Sequence, residues 1–202
     1  MDIDYNQLIK DSNNRIAALD LQLLERACDH CRAKTILEIG SADGGSSVIL
    51  GLKAKERGGH LYCIEPQPKG RMKANMTAHD LEGVYTLIAK ASPWIQFEAI
   101  PPIDLLFIDG RHDLRWCLVD YHYWQPKVRV GGVIVFHDTS GHCQEDRRQS
   151  GYGQPGYKPL VQRAIDIILT TDALRIVGIS ETPNGGAIAF EKTEFIESKG
   201  TP

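Results

Sequence analysis

The stretch Thr35-Ile36-Leu37-Glu38-Ile39-Gly40-Ser41-Ala42-Asp43-Gly44-Gly45 decides the fold. Its first half is apolar almost without a break, its second half is a glycine-rich turn, and residues 46–57 (SSVILGLKAKER) then read as a helix. Continuous rather than alternating hydrophobicity marks a strand buried on both faces, as in a parallel sheet covered by helices. A glycine turn at the carboxyl end of such a strand is where a backbone must approach a ligand closely.

The same pattern recurs on either side. Further apolar runs lie at 60–65 (HLYCIE), 84–89 (VYTLIA), 103–109 (IDLLFID), 132–137 (GVIVFH), 174–180 (LRIVGIS) and 186–191 (GAIAFE). Between them the periodicity predicts helices over 68–81, 113–128 and 158–170, and a short one over 92–100 with Pro93 in its first turn. Another helix is expected over 17–31, ahead of the first strand. The last two runs lie too close for a crossover helix, so they predict an antiparallel hairpin turning at Pro183-Asn184-Gly185. The expected class is α/β, a Rossmann-like three-layer α/β/α sandwich around a seven-stranded, mostly parallel sheet whose last strand is antiparallel. Residues 1–33 read as an N-terminal helical segment and 34–202 as the ligand-binding domain, in one globular unit.

Composition narrows the function classes. The 202 residues carry 23 Lys+Arg against 26 Asp+Glu, a net charge of −3, with 42% hydrophobic residues. That apolar fraction supports a core and excludes a disordered chain. Near-neutral charge without blocks of one sign gives no reason to expect a nucleic acid or a membrane surface as partner. The first residues lack a basic segment followed by an apolar one, and no run approaches the ~18 apolar residues of a membrane span, so a cytoplasmic protein is expected. The five cysteines are an odd number, which suits reduced thiols. Cys28 and Cys31 have CxxC spacing, but no second ligand pair accompanies them, so they read as ordinary residues near a helix end.

The glycine turn has the pattern E-x-G-x-x-x-G, from Glu38 through Gly40 to Gly44. It is not the G-x-G-x-x-G of dinucleotide sites, because Ala42 stands where a pyrophosphate needs glycine. The next run ends at Glu65, where a carboxylate can accept hydrogen bonds from both hydroxyls of a ribose. Together these features describe a nucleoside cofactor without a diphosphate. Helix capping and turn chemistry are the plain alternatives for Glu38 and Asp43.

Strand, ExGxxxG, helix, strand and Glu in that order resemble the cofactor half of a class I S-adenosylmethionine-dependent methyltransferase. Residues 104–139 (DLLFIDGRHDLRWCLVDYHYWQPKVRVGGVIVFHDT) resemble a branch with an IDG-x-H motif after strand four and GGVIVFHD at strand five. That branch is related to catechol-type and sugar O-methyltransferases, and the resemblance runs over 34–191. It implies that Glu38, Gly40, Ser41, Asp43 and Gly44 form the turn at the methionine end of the cofactor. It also implies that Glu65 holds the ribose, that Ala91 and Ser92 lie near the adenine, and that Asp109 borders the same site. The implied reaction is O-methylation of a small phenolic or sugar-like hydroxyl, with a small-molecule acceptor as partner.

A hydroxyl becomes a good nucleophile only once its proton is lost, through a general base or a divalent metal. In metal-dependent relatives the ligands are an acid ending strand four and an acid plus a neighbour at strand five. Asp109 and Asp138 match the acids. The neighbour is Thr139, where relatives carry Asn or a second Asp, and His137 precedes Asp138. Mg²⁺ prefers oxygen ligands, whereas His137 would tilt the site towards a transition metal. His112 holds the place of the base in catechol-type relatives, with capping of the next helix as its alternative; Asp109 and His137 are the other catalytic candidates. Residues 140–157, rich in glycine, are either a surface loop or a cover over substrate, with His142, Arg147 and Arg148 as its polar candidates. Trp94 is the tryptophan expected to edge the adenine pocket.

Two other functions fit parts of this pattern. One is an NAD(P)-dependent oxidoreductase on the same architecture, against which the missing middle glycine weighs. The other is a non-methylating relative, since some members of the branch are assigned to hydroxylation. Oligomeric state is left open by the sequence, a homodimer through the N-terminal helix or the sheet edge being one arrangement.

Overall fold

The computed structural model describes residues 3–11, 16–141, 144–182 and 185–193. The elements run α1 (Tyr5–Asp11), α2 (Ala18–Cys31), β1 (Thr35–Ile39), α3 (Gly45–Glu56), β2 (His60–Ile64), α4 (Gly70–Ala78) and β3 (Tyr85–Ile88). After these come β4 (Ile103–Ile108), α5 (Leu114–Trp124), β5 (Val128–His137), α6 (Gln144–Arg147), α7 (Leu160–Ile168), β6 (Leu174–Ser180) and β7 (Ala187–Lys192). The seven strands form one sheet in the order β3-β2-β1-β4-β5-β7-β6. Pairings from β3 through β5 are parallel, and β7 is antiparallel to both β5 and β6. The expected sheet and its reversed last strand are therefore present; Pro183 and Asn184 of the expected turn lie outside the described residues.

Side chains alternate across the sheet into two cores. Ile36, Leu105, Phe107, Val133 and Val135 pack on one face with α2, α3 and α4 through Leu21, Leu24, Ile49, Met72 and Met76. Leu37, Ile39, Leu106, Ile108, Ile134 and Phe136 pack on the other with α5 and α7 through Tyr121, Trp124, Val161 and Ile165. Both faces of each central strand are apolar for this reason, as its uninterrupted sequence requires. The segment ahead of the sheet is built into the first core: Leu21, Leu23 and Leu24 of α2 are fully buried.

One predicted element differs. Residues 92–100 form two separate 3₁₀ turns, Ser92–Trp94 and Phe97–Ala99, rather than a helix. Ile95 and Ile100 close these turns in extended conformation and bury their side chains in the second core. Pro101 and Pro102 then keep the chain extended. Cys28 and Cys31 are buried; burial pushes the Cys31 thiol up to about 11, and Cys31 Sγ donates to the Ala27 carbonyl. Among the described residues, no helix is long and apolar enough to cross a membrane.

Candidate active site

The carboxyl ends of β3, β2, β1, β4 and β5 open on one cavity of about 640 Å³. Its lining follows the sheet order: Ala91, Ser92 and Pro93 after β3, then Ile64 and Glu65 at β2, Gly40 and Ala42 after β1, Asp109 to His112 after β4, and His137 and Asp138 at β5. Trp116 and Asp120 of α5 complete the wall. Ligands of parallel α/β sheets bind at this edge.

Two close approaches shape the turn, that of Gly40 at the cavity wall and that of Gly44 outside the cavity lining. Gly40 has φ +90°, and a Cβ there would stand 2.1 Å from the Asp109 carbonyl oxygen, so only glycine fits. Gly40 N–H donates to the Ile64 carbonyl and Asp109 N–H to the Ile39 carbonyl, which fixes the ends of three strands against one another. Gly44, at φ +87°, lies against Met72 of α4. Glu65 accepts from the Ala42 N–H at 3.1 Å and from the Gln67 N–H at 2.9 Å. Its carboxylate is an acceptor with lone pairs to spare on the cavity wall, which fits the paired hydroxyl donors of a ribose.

Not every residue of the turn faces this cavity. Glu38 is fully buried and accepts from the hydroxyls of Ser46 and Ser47 at the start of α3. Burial outweighs those hydrogen bonds and raises its carboxyl to about 7. Ser41 and Asp43 line a small neighbouring pocket with Ile16 and Ser46, and Ser41 Oγ contacts Met72 Sδ at 3.3 Å. The tryptophan at the cavity is Trp116, with Arg111 over its ring at 5.8 Å; Trp94, expected there, is 75% exposed and does not line the cavity.

Four ionisable side chains meet where β4 and β5 end. His137 Nδ1 lies 3.1 Å from Asp109 Oδ1 and 3.6 Å from Asp138 Oδ1. His112 Nδ1 is 2.5 Å from Asp138 Oδ2, and its Nε2 is 3.5 Å from Asp109 Oδ1. Burial opposes ionisation of Asp109, but the His137 charge and hydrogen bonds from both histidines hold its carboxyl well below the usual range. Burial likewise works against a charged His137, and the Asp109 carboxylate, with Asp20 and Asp138, overrides it and raises the imidazole well above its usual value. Asp138 itself sits at φ +58°, the left-handed region, and the Thr139 and Ser140 N–H groups that follow it donate to the Gly186 and Gly185 carbonyls. The helix-capping alternative for His112 falls away, because Asp113 caps α5 by accepting from the Trp116 N–H.

These donors fit a divalent cation. One ligand atom each from Asp109, His137 and Asp138 lie within 4.8 Å of one another, and two carboxylates with one imidazole are an ordinary donor set for such an ion. Two buried acids, one at the cavity and one next to the cluster, escaped the sequence. Asp120, 4% exposed on α5, has its carboxyl raised by burial to about 6, and Ser92 hydrogen-bonds to it. Asp20 on α2 reaches His137 from the other side, at 3.2 Å. An acid among the apolar positions of the predicted 113–128 helix was the available signal for Asp120, and Asp20, in the first turn of its helix, carried none. In the 140–157 loop, Asp146 is fully buried and ties the segment down by accepting from the Leu160 N–H and the Tyr157 hydroxyl. Arg147 and Arg148 are exposed, no described residue of that loop lines the cavity, and His142 lies outside the described residues.

A sheet in this order with a ligand cavity across β1 and β4 defines a methyltransferase fold. Residues 37–139, half of the chain, match the family model described as a methyltransferase domain (Methyltransf_24), and the chain belongs to that family of class I S-adenosylmethionine-dependent methyltransferases. The oxidoreductase alternative is thereby set aside. The O-methyltransferase of Bacillus cereus in complex with S-adenosylhomocysteine superposes with a TM-score of 0.69 at 17% identity, over 95% of this chain and 92% of that one. TomG of Streptomyces achromogenes, an O-methyltransferase of tomaymycin synthesis bound to S-adenosylmethionine, gives 0.70 at 17%, over 95% and 91%. At such identities the likeness is one of fold. In sequence, protein R132 of Acanthamoeba polyphaga mimivirus is 29% identical over 138 residues, 63% of this chain and 59% of that protein. Protein y4gI of Sinorhizobium fredii is 37% identical over 51 residues, 25% of this chain and 5% of that protein. The chain thus spans less than two thirds of either relative.

Proposed function

We propose that this methyltransferase transfers the methyl group of S-adenosylmethionine to a hydroxyl of a small phenolic or sugar-like molecule, assisted by a divalent cation at Asp109, His137 and Asp138. One observation carries the reading: a single cavity is lined both by Glu65, suited to a ribose, and by the Asp109–His112–His137–Asp138 cluster, suited to a hydroxyl proton. When bound, the cofactor supplies an electrophilic methyl and the cation lowers the pKa of a coordinated hydroxyl.

The residues then divide the work. Glu65, oriented by the Ala42 and Gln67 N–H groups, accepts from the ribose hydroxyls. Ser92 after β3 and Asp120 of α5, hydrogen-bonded to each other on the cavity wall, offer acceptors to the amino group of the adenine. His112 Nδ1 faces Asp138 and its Nε2 faces Asp109; in the neutral tautomer that donates Nδ1–H to Asp138, Nε2 accepts the acceptor's proton, and it then donates that proton to Asp109. Asp109, 3.5 Å from that nitrogen, stabilises the imidazolium so formed. Near-neutral surface charge suits a small acceptor rather than a polynucleotide.

Transfer of tritium from labelled S-adenosylmethionine to a panel of catechols, phenols and hydroxylated sugars, with and without chelator, tests this. His112→Ala is expected to lower kcat about 10²–10⁴-fold while S-adenosylhomocysteine affinity stays within about twofold. Full turnover in chelator would remove the cation from the reading, and an unchanged kcat in His112→Ala would remove the base.

A further inference from the structure

Asp20 is the one charged residue that α2 sends to the carboxyl end of the sheet, and it is 1% exposed. Leaving a carboxylate in the interior costs several kcal/mol unless it is paired and hydrogen-bonded. Asp20 is both. Ser180 Oγ donates to Oδ1 at 2.5 Å, Thr182 Oγ1 donates to Oδ2 at 3.3 Å, and His137 Nε2 lies 3.2 Å from Oδ2. Gly185 packs over the group so closely that a Cβ would stand 3.1 Å from Asp20 Oδ2 and 3.3 Å from His137 Nε2. One short stretch, through Ser180, Thr182 and Gly185, therefore holds this carboxylate of α2 against one nitrogen of the β5 imidazole.

An imidazole held at Nε2 has no freedom left in the direction of Nδ1. In this ring Nδ1 faces Asp109 Oδ1 at 3.1 Å and Asp138 Oδ1 at 3.6 Å. Two ligands at right angles around an ion with ~2.1 Å bonds stand about 3 Å apart, and at a tetrahedral or wider angle about 3.5 Å, so one ion can bridge both separations. A carboxylate that accepts the distal N–H of a ligating histidine is the usual way to set its tautomer and raise its basicity.

We propose that Asp20 is a positioning residue for His137: it takes the Nε2–H, so that Nδ1 completes a cation site with Asp109 and Asp138 that favours a first-row transition-metal dication such as Mn²⁺ over Mg²⁺. The inference rests on the cation reading given above and goes beyond it in naming the support and the metal class. A nitrogen ligand in place of oxygen is what turns the preference away from Mg²⁺. Neither feature requires Asp20 to touch substrate, and it does not line the cavity.

The test is Mn²⁺ binding to the free protein, followed by loss of the aqueous Mn²⁺ electron paramagnetic resonance signal, with Mg²⁺ as competitor. Wild type is expected to take up one Mn²⁺, and Mg²⁺ should compete only at more than tenfold excess. Asp20→Ala should weaken Mn²⁺ about 10–100-fold and the nearly isosteric Asp20→Asn by less, with S-adenosylhomocysteine affinity kept in both as proof of an intact fold. Mn²⁺ affinity unchanged in both folded variants would overturn the role of Asp20 and leave the cation reading standing. Equal competition by Mg²⁺ would overturn the metal preference. A wild-type protein that binds neither ion would overturn the cation reading and this inference with it.

Discussion

Asp104 and Asp109 stand at opposite ends of the same strand, and their surroundings could hardly differ more. At the amino end, Asp104 accepts from the Lys34 and Thr35 N–H groups at 2.8 Å each and pairs with Arg129 Nε at 2.6 Å. Every acceptor there is met by a donor, and the group ties β1, β4 and β5 together. At the carboxyl end, Asp109 shares two histidines with Asp138 at the wall of a cavity. Several charges are packed together there and offset one another beside a cavity, and Asp138 holds a left-handed backbone. One end of the sheet is arranged for stability and the other for chemistry, the pattern expected when perturbed groups gather at a functional site.

The largest effect is expected where the two ends depend on the same backbone. Gly40→Ala puts a methyl group 2.1 Å from the Asp109 carbonyl at φ +90°, so β1 and β4 must part. A loss of roughly 3 kcal/mol or more in urea unfolding is expected, together with loss of cofactor binding. A variant of near wild-type stability would show that the two strand ends are not locked as described.

Next comes Asp104→Asn. Burial raises the Asp104 carboxyl, but the Arg129 bond and the two backbone donors outweigh it and lower the pKa. A carboxyl depressed in the folded state contributes stability above its unfolded pKa near 3.8, and that contribution is lost as pH falls through the folded value. The variant should therefore be less stable by about 1–2 kcal/mol at pH 7, with the gap closing towards pH 3. Activity per folded molecule should not change.

The smallest effect has the opposite sign. Asp120 is raised by burial to about 6, so the folded protein holds a proton there that the unfolded chain has already lost. Stability conferred by this group is greatest below pH 4 and declines as pH rises to about 6. Asp120→Asn, which still accepts from Ser92, is expected to be more stable than wild type at pH 7.5 by about 1 kcal/mol and to bind S-adenosylhomocysteine less tightly. A less stable variant would place Asp120 with the structural carboxylates such as Asp104.

Most of the sheet was legible because parallel strands are covered on both faces, and β1, β2, β4 and β5 carry that demand in their own residues. The positions of Gly40 and Glu65 on the cavity wall were legible for a similar local reason: a turn and a strand end sit in fixed register with the sheet. Glu38 misled, because a strand's last acid can point to either face, and here it turns to Ser46 and Ser47 rather than to the cavity. The 92–100 segment misled because the demands of Ile95 and Ile100 for the core override helical spacing. Asp20 was beyond reach: an acid in the first turn of a helix is what the helix dipole favours anywhere. Its meaning comes from His137, 117 residues away.

Calorimetric titration of S-adenosylhomocysteine decides whether the carboxyl end of this sheet takes the cofactor through Glu65, as proposed. One molecule per chain is expected to bind in the micromolar range, about −8 kcal/mol, weakened at least tenfold by Glu65→Ala, while NADH gives no heat. Absence of S-adenosylhomocysteine binding, or NADH binding that depends equally on Glu65, would contradict the account.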